Sequence, residues 1–236
     1  MEEYHKIIDR MKPEKLETER ERIAAMKAHE LEARAEGCEL VLGIDEVGRG
    51  PLCGPVVTCC CVLDPDSDIL LLNDSKKLSE KKREILSDVI MESAVCYAFG
   101  EASPQTIDEI NILNATKKAM REACESCIRM LEEKYQRSLR LKAFIDGNQE
   151  VEGLPIPQET IVKGDSASVS IAAASILAKV RRDHMLEEMD KLYPGYGFAR
   201  NKGYGTREHV DAIRSLGPAP IHRMSFLKGI LQDDQP

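Results

Sequence analysis

No apolar run in this sequence approaches the roughly 18–20 residues that a membrane-spanning helix needs, so no membrane segment is expected. The chain begins Met1-Glu2-Glu3, without a basic start followed by an apolar core, so no signal peptide is expected either. Net positive charge is also missing. Lys and Arg number 33 against 41 Asp and Glu, a formal charge of -8. That balance excludes gripping nucleic acid by bulk charge and leaves only a local basic groove. Internal repeats and low-complexity segments are absent. With 42% hydrophobic and 31% charged residues, wholesale disorder and collagen-like chains are excluded. The eight cysteines lie mostly within apolar runs, as in Cys59-Cys60-Cys61, rather than spread through loops as in a disulfide-framed secreted protein. They are expected to be reduced, small apolar side chains of a cytoplasmic protein. The single CxxC, Cys124 to Cys127, has no second pair, and a zinc site needs more ligands than that.

What is present suits one domain of moderate size with an appendage. Residues 1–37 are rich in Glu, Lys, Arg and Ala, with apolar residues loosely at helical spacing and Pro13 as a break. They read as a helical N-terminal extension outside the main unit of 38–236, a solvated appendage or, alternatively, a substrate-gripping extension. From Leu40 two short apolar runs flank a glycine-rich turn, Gly48 to Pro55, which predicts a hairpin. A helix over 79–94, capped by Ser79, precedes a third strand over 95–102 and a mostly helical 106–135. Strands over 141–145 and 159–163 follow, then a long helix over 168–192, a glycine- and aromatic-bearing loop over 195–205, and helices over 206–216 and 225–231. A hairpin followed by alternating strands and helices predicts an α/β fold, a mixed sheet flanked by helices, with a helical C-terminal part.

Three acidic positions interrupt or end the strands: Asp45-Glu46, Asp146 and Asp165. Sites are built at strand ends in such sheets. A carboxylate inside an apolar strand is costly to desolvate unless positive charge offsets it, and no Lys or Arg stands beside Asp45 in the strand itself. If the strands are neighbours, converging carboxylates repel and raise one another's pKa values. A divalent cation removes that conflict, and hard oxygen ligands without His or Cys suit magnesium or manganese rather than zinc. Taken singly, Asp45-Glu46 and Asp146-Gly147 could start turns, and Asp165 could cap a helix. Gly48-Arg49-Gly50 follows Asp45-Glu46 after one residue, and glycines let a backbone approach a phosphate or sugar hydroxyl closely. From Lys179 to Lys228, ten Lys and Arg face six Asp and Glu, with Tyr196, Phe198 and Tyr204 among them. Lys76-Lys77 forms a second, short basic site. Such groups suit phosphate contacts and rings that pack on a base or sugar, or else form a solvated face.

These residues fall into ordered motifs. Gly43 to Val57, Leu72 to Ser79, Ile145 to Asn148, Val162 to Asp165, Ala172 to Val180 with Arg182-Asp183, and Lys202 to Thr206 together resemble bacterial ribonuclease HII from Leu40 to about Phe226. The resemblance implies a ribonuclease H-like fold and four metal-binding catalytic acids at Asp45, Glu46, Asp146 and Asp165, holding two Mg2+ or Mn2+ ions. Asp183 is a rival fourth ligand, but an ion pair within its helix is the simpler account. The resemblance further implies that Gly48, Arg49 and Gly50 contact a ribonucleotide's 2′-hydroxyl, and that Tyr204 packs on the next sugar. Lys76, Lys77 and the C-terminal basic residues would hold phosphates. The implied activity is hydrolysis of RNA in RNA–DNA hybrids and cutting 5′ of ribonucleotides embedded in duplex DNA, giving 3′-hydroxyl and 5′-phosphate ends. A cytoplasmic monomer serving ribonucleotide excision repair and DNA replication fits that reading. The alternatives are a non-catalytic hybrid-duplex binder and another two-metal, structure-specific nuclease.

Overall fold

The structure, a computed structural model, describes residues 1–232. Five strands form one sheet: β1 (Leu40–Val47), β2 (Val56–Leu63), β3 (Ala94–Ala102), β4 (Leu141–Asp146) and β5 (Gln158–Ile161), in the order β3-β2-β1-β4-β5. The hairpin expected around the glycine-rich turn is present, since β1 pairs antiparallel with β2, as does β2 with β3. β4 lies parallel to both β1 and β5. The sheet is therefore mixed, as expected.

The period-2 alternation of a strand explains the two cores. Leu40, Leu42, Ile44, Cys60 and Val62 face a long helix, α5 (Pro104–Tyr135), through its Met120, Ala123, Cys124, Cys127 and Leu131. Cys59, Cys61 and Leu63 face the opposite way. They pack on α6 (Val169–Leu192) and on α4 (Glu80–Ser93), between Ala172, Ile176, Leu177, Leu86 and Ile90. Close contact of α6 with the sheet depends on Gly43. A Cβ there would lie 2.1 Å from the Ser170 carbonyl carbon, so no side chain fits. All eight cysteines are free thiols and seven are buried, Cys124 and Cys127 among them, in line with apolar packing.

α5 differs from one smooth helix. Asn111 takes φ 65° and ψ 164° within it, and its Oδ1 accepts from Asn114 N–H, so it starts a new helical segment. Ser168, Ser103 and Thr206 cap their helices through side-chain oxygens, whereas the Ser79 side chain makes no cap bond. A third, smaller core lies under the 48–55 turn. There the last turns of α6 meet α7 (Phe198–Asn201), α8 (Arg207–Leu216) and α9 (Lys228–Gln232) around Cys53, Leu186, Phe198, Ile213 and Leu227.

The N-terminal segment is helical as expected, forming α1 (Glu2–Asp9), α2 (Pro13–Met26) and α3 (Ala28–Ala35). It is not solvated throughout. Tyr4, Ile23 and Met26 are buried in the same core as α4 and α6, and the Tyr4 hydroxyl accepts from Leu70 N–H at 2.8 Å. The loose apolar spacing of the segment concealed a real packing face, because a few large side chains suffice to seat it. Among the described residues, no helix is long and apolar enough to cross a membrane. Ile23 is only 2% exposed, so Ile23→Ala is expected to lower unfolding free energy by about 2–4 kcal/mol. Urea titration checks this; a solvated helix would lose less than about 0.5 kcal/mol.

Candidate active site

Parallel pairing places Ile44 opposite Ile145, so the next residues, Asp45 and Asp146, stand side by side at the strand ends. Asp146 is paired in turn with Ile161 of β5, and its Oδ1 accepts from Gly164 N–H at 2.7 Å. That bond draws in the one-turn 3-10 helix 164–166, which carries Asp165. Asp165 does not cap α6, a role that Ser168 fills. Glu46 follows Asp45 on β1, and its Oε1 lies 3.3 Å from Arg49 Nη1.

The electrostatics show that these groups face one another. Burial raises the Asp45 pKa well above its ordinary value, and the charges of Glu46 and Asp146 raise it further. A hydrogen bond from Ser175 and one from Glu46 N–H, 2.7 Å from Oδ1, oppose that rise. Glu46 is raised by burial and by Asp146 despite the opposing Arg49 guanidinium. Asp165 is raised by burial, then by Asp146 and Asp74. Asp146 is thus the shared neighbour of the other three. Burial alone would lower the Lys76 ammonium, but Asp74, Asp45, Asp165 and Asp146 outweigh it and raise its pKa. Lys76 therefore faces the cluster. Lys77 Nζ reaches Ser166 Oγ at 3.3 Å, on the turn that carries Asp165. Ser175 on α6 also bonds Ser75 Oγ at 3.1 Å, which ties Asp45 to the turn bearing both lysines.

Asp183, the rival acid, pairs with Lys179 in its own helix and lies 3.7 Å from Arg83. The C-terminal basic span is largely spent on internal pairs: Arg181 with Glu101, Lys202 with Glu187, Lys191 with Glu188, and Arg200 with Glu208. Arg182 and Arg223 are fully buried and cannot reach phosphates. The expectation that this span as a whole holds phosphates is corrected accordingly. Charge counts along a sequence do not show which cations already have partners.

Gly48-Arg49-Gly50 forms the rim beside Glu46. Gly48 has φ 94°, and a Cβ there would lie 2.2 Å from Arg182 Nε. Tyr204, 48% exposed, stands over Gly50, with its Cε1 at 3.8 Å from where a Cβ would sit. Leu52 N–H donates to Gly203 O at 2.8 Å, which fastens the Tyr204 segment to this loop. The Tyr204 carbonyl is fixed by a buried chain: His209 Nδ1 at 2.9 Å from Tyr204 O, His209 Nε2 at 3.0 Å from His222 Nε2, and Ala219 N–H on His222 Nδ1. Burial keeps both rings neutral, pushing His222 down to about 4. Cys53, His209 and His222 bring ligand atoms within 4.8 Å of one another, the one such trio among the described residues. The facing ring nitrogens are nevertheless taken by their mutual hydrogen bond, and burial pushes the Cys53 thiol up to about 12. That trio is a packing network and not a metal centre. Among the described residues, no trio drawn from the four carboxylates meets that spacing. Their all-oxygen donor set and mutual repulsion fit hard divalent ions.

The family model for ribonuclease HII matches residues 42–228. The chain is 50% identical over 217 residues to ribonuclease HII of Caldanaerobacter subterraneus subsp. tengcongensis, covering 92% of this chain and 86% of that one. It resembles the crystal structure of ribonuclease H2 from Pyrococcus horikoshii OT3 with TM-score 0.65 and 25% identity, over 82% of this chain and 98% of that one. The fold is shared with Bst-RNase HIII in complex with Mn2+, TM-score 0.61 at 18% identity, over 83% of this chain and 70% of that one. The chain belongs to the ribonuclease HII family, endoribonucleases acting on RNA–DNA hybrids and dependent on divalent metal.

Raised folded-state pKa values mean that the folded chain holds more protons than the unfolded one at mildly acid pH. In chelator, the cluster's contribution to stability is therefore best at low pH and is lost as pH rises through those values. Asp45→Asn removes one repelling charge. It is expected to raise the melting temperature of the metal-free protein at pH 7 by about 2–6 °C, with the gain shrinking towards pH 4. Scanning calorimetry across pH checks this, and no gain at neutral pH would refute the repulsion.

Proposed function

We propose that this chain hydrolyses the RNA strand of RNA–DNA hybrids and also nicks duplex DNA on the 5′ side of an embedded ribonucleotide. One observation carries the second part. Beside the carboxylates, the backbone N–H groups of Gly48, Arg49 and Gly50 and the carbonyl of Gly50 have no hydrogen-bond partner among the described residues. Unpaired donors and an acceptor suit a 2′-hydroxyl, which is both donor and acceptor and distinguishes RNA from DNA.

Asp45, Glu46, Asp146 and Asp165 would hold two divalent ions, Mg2+ or Mn2+. Such a pair would activate a water and stabilise the leaving 3′ oxygen, giving 3′-hydroxyl and 5′-phosphate ends. The chain's own groups do the rest. Ser175 and Glu46 N–H hold the Asp45 carboxylate in place, and Gly164 N–H holds that of Asp146. Arg49 pairs with Glu46 at the rim, while its backbone N–H remains available to substrate. Tyr204 offers an exposed ring beside Gly50 for the following sugar. Lys76 and Lys77, on the turn facing the acids, would contact phosphates, and that binding weakens with salt. The reading is of a cytoplasmic monomer. The family match over 42–228 supports 38–236 as the catalytic unit and 1–37 as an addition to it.

The test compares nicking of a duplex carrying one ribonucleotide with nicking of its all-DNA twin. The parent is expected to cut only the first, and Asp45→Asn neither. Binding without turnover would favour a hybrid-duplex binder, and cutting of the twin a DNA nuclease. Tyr204→Ala is expected to slow cleavage at a single ribonucleotide about tenfold, in line with the roughly 1–3 kcal/mol of a ring stacked on a nucleotide. Cleavage of a long hybrid should fall less; equal losses on both substrates would count against a junction-reading role.

A further inference from the structure

Two arginines, Arg182 and Arg223, are 0% exposed, and neither makes an ion pair among the described residues. Burying a guanidinium is costly, and burial pushes Arg223 down to about 10. The compensation comes from backbone carbonyls, and nearly all of them belong to one loop. Arg223 Nη2 donates to Gly48 O at 2.6 Å and to Gly54 O at 2.8 Å. Its Nη1 donates to Arg49 O at 3.0 Å and Pro51 O at 2.8 Å, and its Nε to Gly54 O at 3.0 Å. Arg182 donates to Pro55 O at 3.1 Å and Cys53 O at 3.1 Å, and it ties in Lys202 O at 2.9 Å, two residues before Tyr204. The Leu52 carbonyl accepts from Arg223 N–H. Of the eight carbonyls from Gly48 to Pro55, only that of Gly50 is left without a partner among the described residues.

This pattern fixes more than the loop's path. A trans peptide is planar, so the carbonyl of one residue and the N–H of the next point in opposite directions. No peptide here is cis. With the carbonyls of Gly48 and Arg49 drawn onto Arg223, the N–H groups of Arg49 and Gly50 must point away from it. These are two of the unpaired donors at the rim. Both peptides adjoin glycine, where rotation meets little steric resistance, so without such anchors either could turn over.

We propose that Arg223, supported by Arg182, is a positioning residue that sets ribonucleotide preference by orienting the 48–49 and 49–50 peptides. The proposal rests on the reading that this loop recognises the 2′-hydroxyl. Neither arginine touches substrate. Lysine keeps the charge but has one compact donor head, which cannot span carbonyls as far apart as those of Gly48, Pro51 and Gly54.

The test uses Arg223→Lys and Arg182→Lys in the full chain, with circular dichroism and melting to establish folding. Two quantities are read. One is metal-free affinity for a duplex with a single ribonucleotide, relative to its all-DNA twin. The other is hydrogen exchange at the Arg49 and Gly50 amides. In Arg223→Lys the preference is expected to fall about tenfold, with the affinity for the all-DNA twin within twofold of the parent. Exchange at the two amides should change while the β1 and β4 amides stay protected. Arg182→Lys should show the same effects more weakly, and it carries the test if Arg223→Lys does not fold. An unchanged preference, or equal weakening towards both duplexes, overturns the proposal. A parent chain without any preference would instead sink the functional reading, and the exchange arm would then judge the arginine's hold on the loop alone.

Discussion

Asp45, Asp146 and Asp165 come within electrostatic reach of one another because parallel pairing aligns the ends of β1, β4 and β5. Their like charges are the constraint that the rest of the structure accommodates. A sheet can hold repelling groups together only if its own pairing is secured elsewhere. Here the two apolar faces of the sheet, one under α5 and one under α6, supply that security. The carboxylates are then restrained individually, by Ser175, by a backbone N–H at Asp45 and by another at Asp146. The two bonds to Asp45 favour its charged form and partly offset burial. The remaining imbalance is of the kind that a bound divalent cation would relieve.

The same economy of charge governs the rim. Exposed cations from Lys179 onward are mostly absorbed by neighbouring acids, while two buried ones are committed to the carbonyls of the glycine-rich turn. The helical C-terminal part is therefore more than a lid on a small core. It carries Arg223 and the His209–His222 chain, which fix the loop and the Tyr204 backbone from below. The proposed recognition by backbone groups demands this rigidity, since the glycines of the loop have no side chains to lock it.

The carboxylates were legible in the sequence because an acid inside an apolar strand contradicts its surroundings. Strand order was the missing step, and the parallel β1–β4 pairing supplies it. Reduced, apolar cysteines and the hairpin follow from local chemistry and are present as expected, whereas the cap expected from Ser79 is not made. Burial of Arg182 and Arg223 was not legible, for two reasons. An arginine in a basic span looks like any other solvated cation, and its carbonyl partners lie up to about 175 positions away in the chain. The only hint was Arg223 standing in the apolar stretch after Pro218, which by itself does not separate an anchor from a surface residue. The N-terminal packing was half legible: Tyr4, Ile7 and Ile8, then Ile23 and Met26, recur at helical spacing, but so short a stripe among charged residues does not show what it packs against.

That N-terminal segment bears on the site through one residue. Glu30 Oε1 accepts from Ser168 Oγ and from Ser170 N–H, at the start of α6 and within five residues of Asp165. A carboxylate there complements both the unpaired amides and the positive end of the helix dipole. α6 in turn presses on Gly43, two residues before Asp45, and presents Ser175 to it. The extension thus braces the helix that positions two of the four acids, without reaching the cleft itself.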